Sequence, residues 1–228
     1  IETLTEEVRA IERETYGKVI RTIAHEVNNT LGGIDSVLQV VKDVSEPDIA
    51  EVVENCRERS QKLTDFISAY ATLVKLPEPR VLTMDLAESM EHLKPFITCY
   101  AEQADIRVDY HLEHGAKVNL DPILWEQAII NIIKNSVESI AETGREDGVI
   151  EVATDRLGQL TITDNGKGIS DDQIARLHTP FYTTKSNGQG IGMMLIREIL
   201  LRHKCKFTLL TEKSTKKTTF RIFFQAEY

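Results

Sequence analysis

The chain opens with two long apolar stripes at helical spacing, broken once. From Leu4 through Val8, Ile11, Val19, Ile23, Val27, Leu31, Ile34 and Leu38 to Val41 the interval alternates between three and four, with small drifts, the period of one face of a helix. A single narrow stripe held over about forty residues is the mark of a coiled coil or helical bundle more than of a compact core helix. "SEPD" at 45–48 is a turn, and Pro47 suits the first turn of a new helix. A second stripe follows, through Ile49, Val52, Val53, Cys56, Leu63, Phe66, Ile67, Tyr70, Leu73 and Val74, and "PEP" at 77–79 ends it. Two long helices with a short connection predict an antiparallel hairpin. A lone hairpin buries little, so a dimeric four-helix bundle is its natural completion, and a homodimer is expected.

After Pro79 the pattern changes. Helical stretches near 86–104, 121–143 and 190–203 alternate with short β-rich runs: "RVLTMDL", "IRVDYHL", "VIEVATD", "QLTITD", "KFTLLT" and "TTFRIFF". That alternation predicts an α+β domain with a mixed, mainly antiparallel sheet. The expected division is a helical hairpin over 1–79 and an α+β domain over 80–228.

Bulk properties narrow the partners. With 228 residues, 41% hydrophobic and 28% charged, the chain fits a soluble globular protein of one or two domains. A net charge of −9 argues against nucleic acid or an anionic membrane as the main partner. No apolar run reaches the about 18 residues that a membrane span needs. Cys56, Cys99 and Cys205 are odd in number, far apart, and form no C-x-x-C, so neither a zinc knuckle nor a disulfide framework is expected. A reduced, cytoplasmic setting is the simplest reading. Ile1 is already in helical register, and we read the chain as a piece of a longer protein whose own anchoring is open.

Within the first stripe lies "IRTIAHEVNNTLGG", residues 20–33. His25 and Glu26 match the first two positions of the zinc-peptidase pattern H-E-x-x-H, but its fifth position is Asn29. Zinc would need two ligands at i and i+4 on one face, and Asn29 is a poor one. A buried structural imidazole is the commoner role of a lone histidine. At ~100° per residue, however, His25 lies ~200° round from both Ile23 and Val27, away from the stripe, and Asn29 shares its face. An exposed imidazole beside a carboxylate suits nucleophilic work. It is largely uncharged near neutral pH, and Glu26 can take the ring proton as the other nitrogen attacks.

Three stretches of the second domain could supply the electrophile. "NIIKNSVES" at 131–139 puts Asn131 and Asn135 one helical turn apart on one face, with Ile132 and Ile133 pointing into the core. Two carboxamides can hold a hydrated Mg²⁺ and phosphate oxygens without adding charge, because Mg²⁺ commonly keeps several waters. Alone, the stretch reads equally well as a polar helix face. "TITDNGKGI" at 161–169 ends a strand at Asp164, whose carboxylate can accept from an exocyclic amine such as that of adenine; Gly166 and Gly168 let backbone approach a base closely. Alone it is an ordinary turn. "TPFYTTKSNGQGIGMM" at 179–194 joins an aromatic pair and Lys185 to Gly188, Gly190 and Gly192 at the start of a helix. Glycines there expose backbone N–H groups to phosphate, and the composition also fits a lid. It is not the P-loop pattern.

In this order the pieces resemble the transmitter core of bacterial sensor histidine kinases over essentially the whole chain. "HEVNN" is similar to the phosphoacceptor box, "NIIKNSVES" to the N box, "DNGKG" and "GQGIG" to the two glycine boxes, "TPFYTTK" to the F box, and "TTFRIFF" to the closing strand. "HEVNN" and "TPFYTTK" are most similar to those of nitrogen-regulation-type kinases. The resemblance implies a dimerisation and phosphotransfer hairpin followed by an ATP-binding α/β sandwich of the kind shared with gyrase and Hsp90. It makes His25 the phosphoacceptor, Glu26 its acid/base neighbour, and Asn29 the residue that positions water for dephosphorylating a partner. Asn135, with Asn131, handles Mg²⁺ and phosphate. Asp164 reads adenine, Gly166, Gly168, Gly190 and Gly192 shape the pocket, and Lys185 approaches the phosphates. The implied acceptor of the phosphoryl group is a separate response regulator.

Two positions depart from that pattern. Thr30 stands where a proline usually follows the Asn, which puts the family's helix bend in question. Lys217 replaces a glycine before the last strand, leaving Thr218 or Thr219 as an adenine-side residue, with Thr219 taken here. Two rival readings share the pocket. A gyrase- or Hsp90-type ATPase would carry a Glu as base at the first N-box position, which is Asn131 here. Against a non-catalytic nucleotide-binding scaffold that has lost transfer activity stand the intact His25, Asn135, Asp164 and both glycine boxes.

Overall fold

The structure is a computed structural model. It describes residues 2–74, 76–176, 192–212 and 214–224, excepting the side chains of 2–18, 21, 69, 72, 175 and 176. The chain divides between Pro77 and Glu78 into two compact units.

The first unit is the hairpin. Helix α1 spans Glu2–Val44 and α2 spans Pro47–Val74, so the stripe of the sequence becomes two helices with Pro47 opening the second, where its missing N–H costs nothing. Cross-links between them run antiparallel. Asn28 Nδ2 donates to Ser68 Oγ at 2.9 Å, the Arg57 guanidinium holds both oxygens of Asp35 at 2.8 and 3.2 Å, and Lys42 pairs with Glu54 at 2.8 Å. The apolar stripe itself divides. Ala24, Val53 and Ala71 are buried and Val27, Leu31 and Leu38 are half-buried, whereas Val19, Ile23, Ile34, Val37, Val41 and Val44 of α1 and Ile49, Val52, Leu63 and Tyr70 of α2 stay exposed. The hairpin closes one face of each helix and leaves a second apolar face uncovered within the chain.

The second unit is an α/β sandwich. Its elements are β1 (Leu82–Asp85), α3 (Leu86–Glu102), β2 (Arg107–Leu112), β3 (Lys117–Leu120), α4 (Pro122–Ala141), β4 (Val149–Thr154), β5 (Gln159–Asp164), α5 (Asp171–Arg176), α6 (Gly192–Arg202), β6 (Lys206–Thr211) and β7 (Thr218–Phe223). Five strands form a mixed sheet in the order β2-β4-β5-β7-β6, with only β2 and β4 parallel, and β1 pairs with β3 apart from it. Strict alternation sets the layers. Ile150, Val152, Leu160, Ile162, Phe220 and Ile222 lie in one core with Met90 and Ile97 of α3, Ile129 and Ile133 of α4, and Ile196 and Leu200 of α6. The reverse face carries Glu151, Thr161, Thr163, Thr219 and Arg221, half-exposed or exposed. Asp85 and Asp121 cap α3 and α4 by accepting from the first free N–H groups, Asp121 from Ile123 at 2.9 Å and Leu124 at 3.0 Å.

The fold is the α+β arrangement expected, with a mixed, mainly antiparallel sheet. Strand β3, "KVNL", and the short helix α5 were not anticipated. Among the described residues no helix is long and apolar enough to cross a membrane.

Candidate functional site

Each unit holds one part of the candidate site. In the hairpin, His25, Glu26 and Asn29 are all exposed on α1, while the neighbouring Ala24 is buried. The imidazole therefore faces solvent as the helical phase requires. Asn28, one residue before Asn29, turns inward to Ser68. Thr30, where the sequence lacks a proline, back-bonds from Oγ1 to the Glu26 carbonyl at 2.8 Å, within an α1 that is continuous from Glu2 to Val44.

In the sandwich the site grows from the end of β5. Alternation sends Leu160, Ile162 and Asp164 to the core face, so the strand's last residue is a carboxylate only 5% exposed. It accepts from Gly166 N–H at 3.0 Å and from the Ser136 hydroxyl of α4 at 3.1 Å. Burial outweighs both bonds and pushes the Asp164 carboxyl up to about 6. Ser136 was missed in the sequence because only the packing of α4 on β5 brings it there.

Glycine is demanded at the next turn. A Cβ on Gly166 would strike the Ser139 side chain and would come within 2.8 Å of both the Ser139 carbonyl carbon and an Asp164 carboxylate oxygen. Gly168 sits at φ 79°, where its Cβ would meet Thr211 at 3.0 Å. Asn165, just before Gly166, is a clamp the sequence did not announce. Its Oδ1 accepts from Val149 N–H at 2.9 Å, its Nδ2 donates to the Asp147 carbonyl at 2.8 Å, and its own carbonyl takes the Arg145 guanidinium. Lys167 N–H bonds the Ser139 carbonyl, and its ammonium pairs with Glu142. The loop is thereby pinned to the end of α4.

Helix α4 delivers the carboxamides. Ile132 and Ile133 are buried, and Asn131 and Asn135 on either side of them are half-buried. Asn131 Nδ2 donates to the Gln127 carbonyl at 2.7 Å, which sends its oxygen the other way, toward the first residue of α6. A Cβ on Gly192 would lie 3.5 Å from Asn131 Oδ1 and 3.9 Å from Asn135 Nδ2. The opening of α6 thus abuts the two carboxamides. Lys185, Gly188 and Gly190 lie outside the described residues.

Thr219, the residue taken for the adenine side, lies on the other face of the sheet from Asp164. It pairs with Thr163, its hydroxyl 3.2 Å from that of Thr163, on the reverse face of the sheet. Thr218, 5% exposed, is the residue directly opposite Asp164 and on its face, with its hydroxyl 3.3 Å from that of Thr211. One residue of register exchanges the two faces of a strand, and sequence alone did not fix that register.

The donor set fits a nucleotide: a buried carboxylate for an amine, glycines for close approach, and a helix start beside two neutral amides. It fits Mg²⁺ only sparsely. Among the described residues no group of three or more His, Cys, Asp or Glu side chains could hold a metal, so carboxamide oxygens are the ligands available, as suits an ion that keeps its waters.

Comparisons with known proteins agree. The family described as histidine kinase-, DNA gyrase B-, and HSP90-like ATPase matches residues 120–228. The chain is 26% identical over 191 residues to the sensor histidine kinase ZraS of Salmonella typhimurium, covering 82% of this chain and 41% of that protein. It is 30% identical over 199 residues to the C4-dicarboxylate transport sensor protein DctS of Rhodobacter capsulatus (83% and 30%) and 28% identical over 191 residues to sporulation kinase B of Bacillus subtilis (80% and 43%). The chain thus spans less than half the length of these relatives. Among solved structures, the Acinetobacter baumannii histidine kinase AdeS aligns with TM-score 0.56 at 18% identity over 88% of this chain and 97% of that one. Full-length ShkA in complex with AMPPNP aligns at 0.59 and 15% over 92% and 47%. At those identities the likeness is one of fold. Residues 120–228 match the histidine kinase-, DNA gyrase B- and HSP90-like ATPase family, and the chain as a whole is similar to the transmitter part of sensor histidine kinases.

Proposed function

We propose that this chain binds ATP in the sandwich, transfers the γ-phosphoryl group to His25, and passes it to the aspartate of a separate response regulator. The observation that carries the reading is the buried Asp164 carboxylate at the end of β5, with Asn131, Asn135 and Gly192 gathered in the same unit, in a chain whose hairpin exposes His25. One ring nitrogen of His25 attacks the γ-phosphorus, the bond to the bridging oxygen of ADP breaks, and Glu26 takes the proton from the other nitrogen. Asp164 accepts from the adenine amine, and Thr218 is the residue on its face that we assign to the adenine side in place of Thr219. Bound Mg²⁺ would neutralise phosphate charge, with Asn135 and Asn131 as the residues to hold it. Lys185, Gly188 and Gly190 complete the phosphate side in this reading.

The exposed apolar face of the hairpin, Ile23, Val37, Val44, Ile49 and Val52 among it, supports a homodimer built as a four-helix bundle. The fragment works in the cytoplasm without nucleic acid or membrane contact of its own. The likeness of "HEVNN" and "TPFYTTK" to nitrogen-regulation-type kinases supports that subgroup.

Asn29 lies one turn beyond His25 and shares its exposure. An amide both donates and accepts, so it can orient a water against a phosphorylated aspartate docked there. Glu26 acts on the imidazole proton instead. Asn29→Ala therefore keeps most autophosphorylation and loses regulator dephosphorylation, and Glu26→Gln does the reverse. Assays of both variants with the cognate regulator check this; parallel loss of both activities in both variants contradicts the division. Incubation with ATP labelled at the γ-phosphate tests the main reading. A kinase gives an acid-labile, base-stable protein label, an ATPase gives free phosphate, and a scaffold gives neither.

A further inference from the structure

Helices α4 and α6 lie antiparallel, and polar groups fix them at both ends. At one end Gly192 abuts Asn131 and Asn135. At the other, His203, immediately after α6, is 9% exposed, and both of its ring nitrogens are engaged. Nδ1 is 2.7 Å from the Ile199 carbonyl, one turn back in α6, and Nε2 accepts from Asp121 N–H at 2.9 Å. The first nitrogen must then be the donor, because the carbonyl can only accept and a backbone N–H can only donate. The ring bridges the end of α6 to the N-cap of α4.

Asp121 is a fixed anchor. Its carboxylate caps α4 through Ile123 and Leu124, and it accepts from the Arg80 N–H at 2.7 Å, so the segment entering the sandwich is tied to the same residue. A helix is stiff along its length, so the position of α6 at His203 sets the position of Gly192 eleven residues earlier along the axis. None of the groups that meet at Gly192 or around Asp164 has this job.

We propose that His203 is a positioning residue: by bonding Asp121 it sets the register of α6 on α4, and so the placement of the α6 start against Asn131 and Asn135 where nucleotide phosphates bind. The proposal rests on the ATP reading above. It separates two ends of the ligand. The adenine end depends on β5 and its glycine turn, which His203 does not touch; the phosphate end depends on α6.

The test uses the 228-residue chain with His203→Met, His203→Leu and His203→Gln, measuring ATP and adenosine binding by calorimetry alongside thermal unfolding. Gln can place its carbonyl oxygen where Nε2 stands; Met and Leu leave Asp121 N–H unpaired, a loss of about tenfold in a binding constant. Met is the variant that carries the test if Leu fails to fold. The expected result is ATP affinity lower by about tenfold in His203→Met, unchanged adenosine affinity, and recovery to near the parent value in His203→Gln. ATP binding by His203→Met equal to the parent, equal losses for ATP and adenosine, or no recovery with Gln would each overturn the proposal. A parent chain that binds no ATP would instead overturn the function itself.

Discussion

Asp164 carries a charge that its surroundings oppose. Burial pushes its carboxyl up to about 6, against the usual 3.8. A carboxyl raised on folding adds stability that is complete below about pH 4 and lost as pH rises through about 6. Asp164→Asn removes the buried charge while keeping an oxygen for Gly166 N–H. It should therefore stabilise the unliganded sandwich at pH 7.5 by about 1–3 kcal/mol, with the gain disappearing near pH 4, as urea unfolding at the two pH values will register. The same substitution should cost about 5–150-fold in ATP affinity. In the parent, ATP affinity should fall as pH drops through about 6, and GTP, which offers a carbonyl where adenine offers an amine, should bind more weakly than ATP. Equal ATP and GTP binding would remove the adenine role. Sequence pointed to Asp164, both N-box carboxamides and the glycine pair as candidates, since each has a spacing tied to a strand end or a helix face. It hid Ser136, Asn165 and His203, whose partners are 28, 18 and 82 positions away. It also left open whether Thr218 or Thr219 shares the face of Asp164, because the register of β7 on β5 is set by tertiary pairing.

Helices α3 and α6 end alike. Ile106 N–H bonds the Ala101 carbonyl and Cys205 N–H bonds the Leu200 carbonyl, each closing a left-handed turn at Asp105 (φ 56°) or Lys204 (φ 55°). Glycine adopts that conformation without strain. Lys204→Gly should raise stability by about 0.5–1 kcal/mol without altering ATP affinity, as paired unfolding and calorimetric measurements would register. In α1 the opposite exchange applies. A Cβ on Gly32 or Gly33 meets nothing within 4 Å, so Gly33→Ala should stabilise the hairpin by about 0.5–1 kcal/mol in thermal unfolding. The long elements were legible because their apolar period persists over several turns. "KVNL" was not, since four residues carry too little alternation and its partner β1 lies more than thirty residues away.

The whole chain joins a hairpin with an uncovered apolar face to a sandwich whose core is complete within the described residues. On the proposed dimer the first packs against a second copy and the second does not. Light scattering should find the full chain dimeric at micromolar concentration and residues 78–228 alone monomeric; replacing both exposed Val37 and Val52 by Lys should shift the full chain toward monomer. The change of period at "PEP" marks where the hairpin's apolar stripe stops and the α+β pattern begins. The split of the hairpin's apolar residues into a covered and an uncovered face was not legible, because a stripe read one helix at a time does not say which of its edges the neighbouring helix takes. The central claim is that His25 receives the phosphoryl group from ATP. Its most direct measurement is to incubate the parent chain and His25→Gln with labelled ATP and to locate the phosphate by fragmentation mass spectrometry under alkaline conditions. The account predicts a single phosphorylated residue, His25, in the parent, and no label in His25→Gln although that variant still binds ATP. A label that persists in His25→Gln, at His92, His111 or elsewhere, would contradict it.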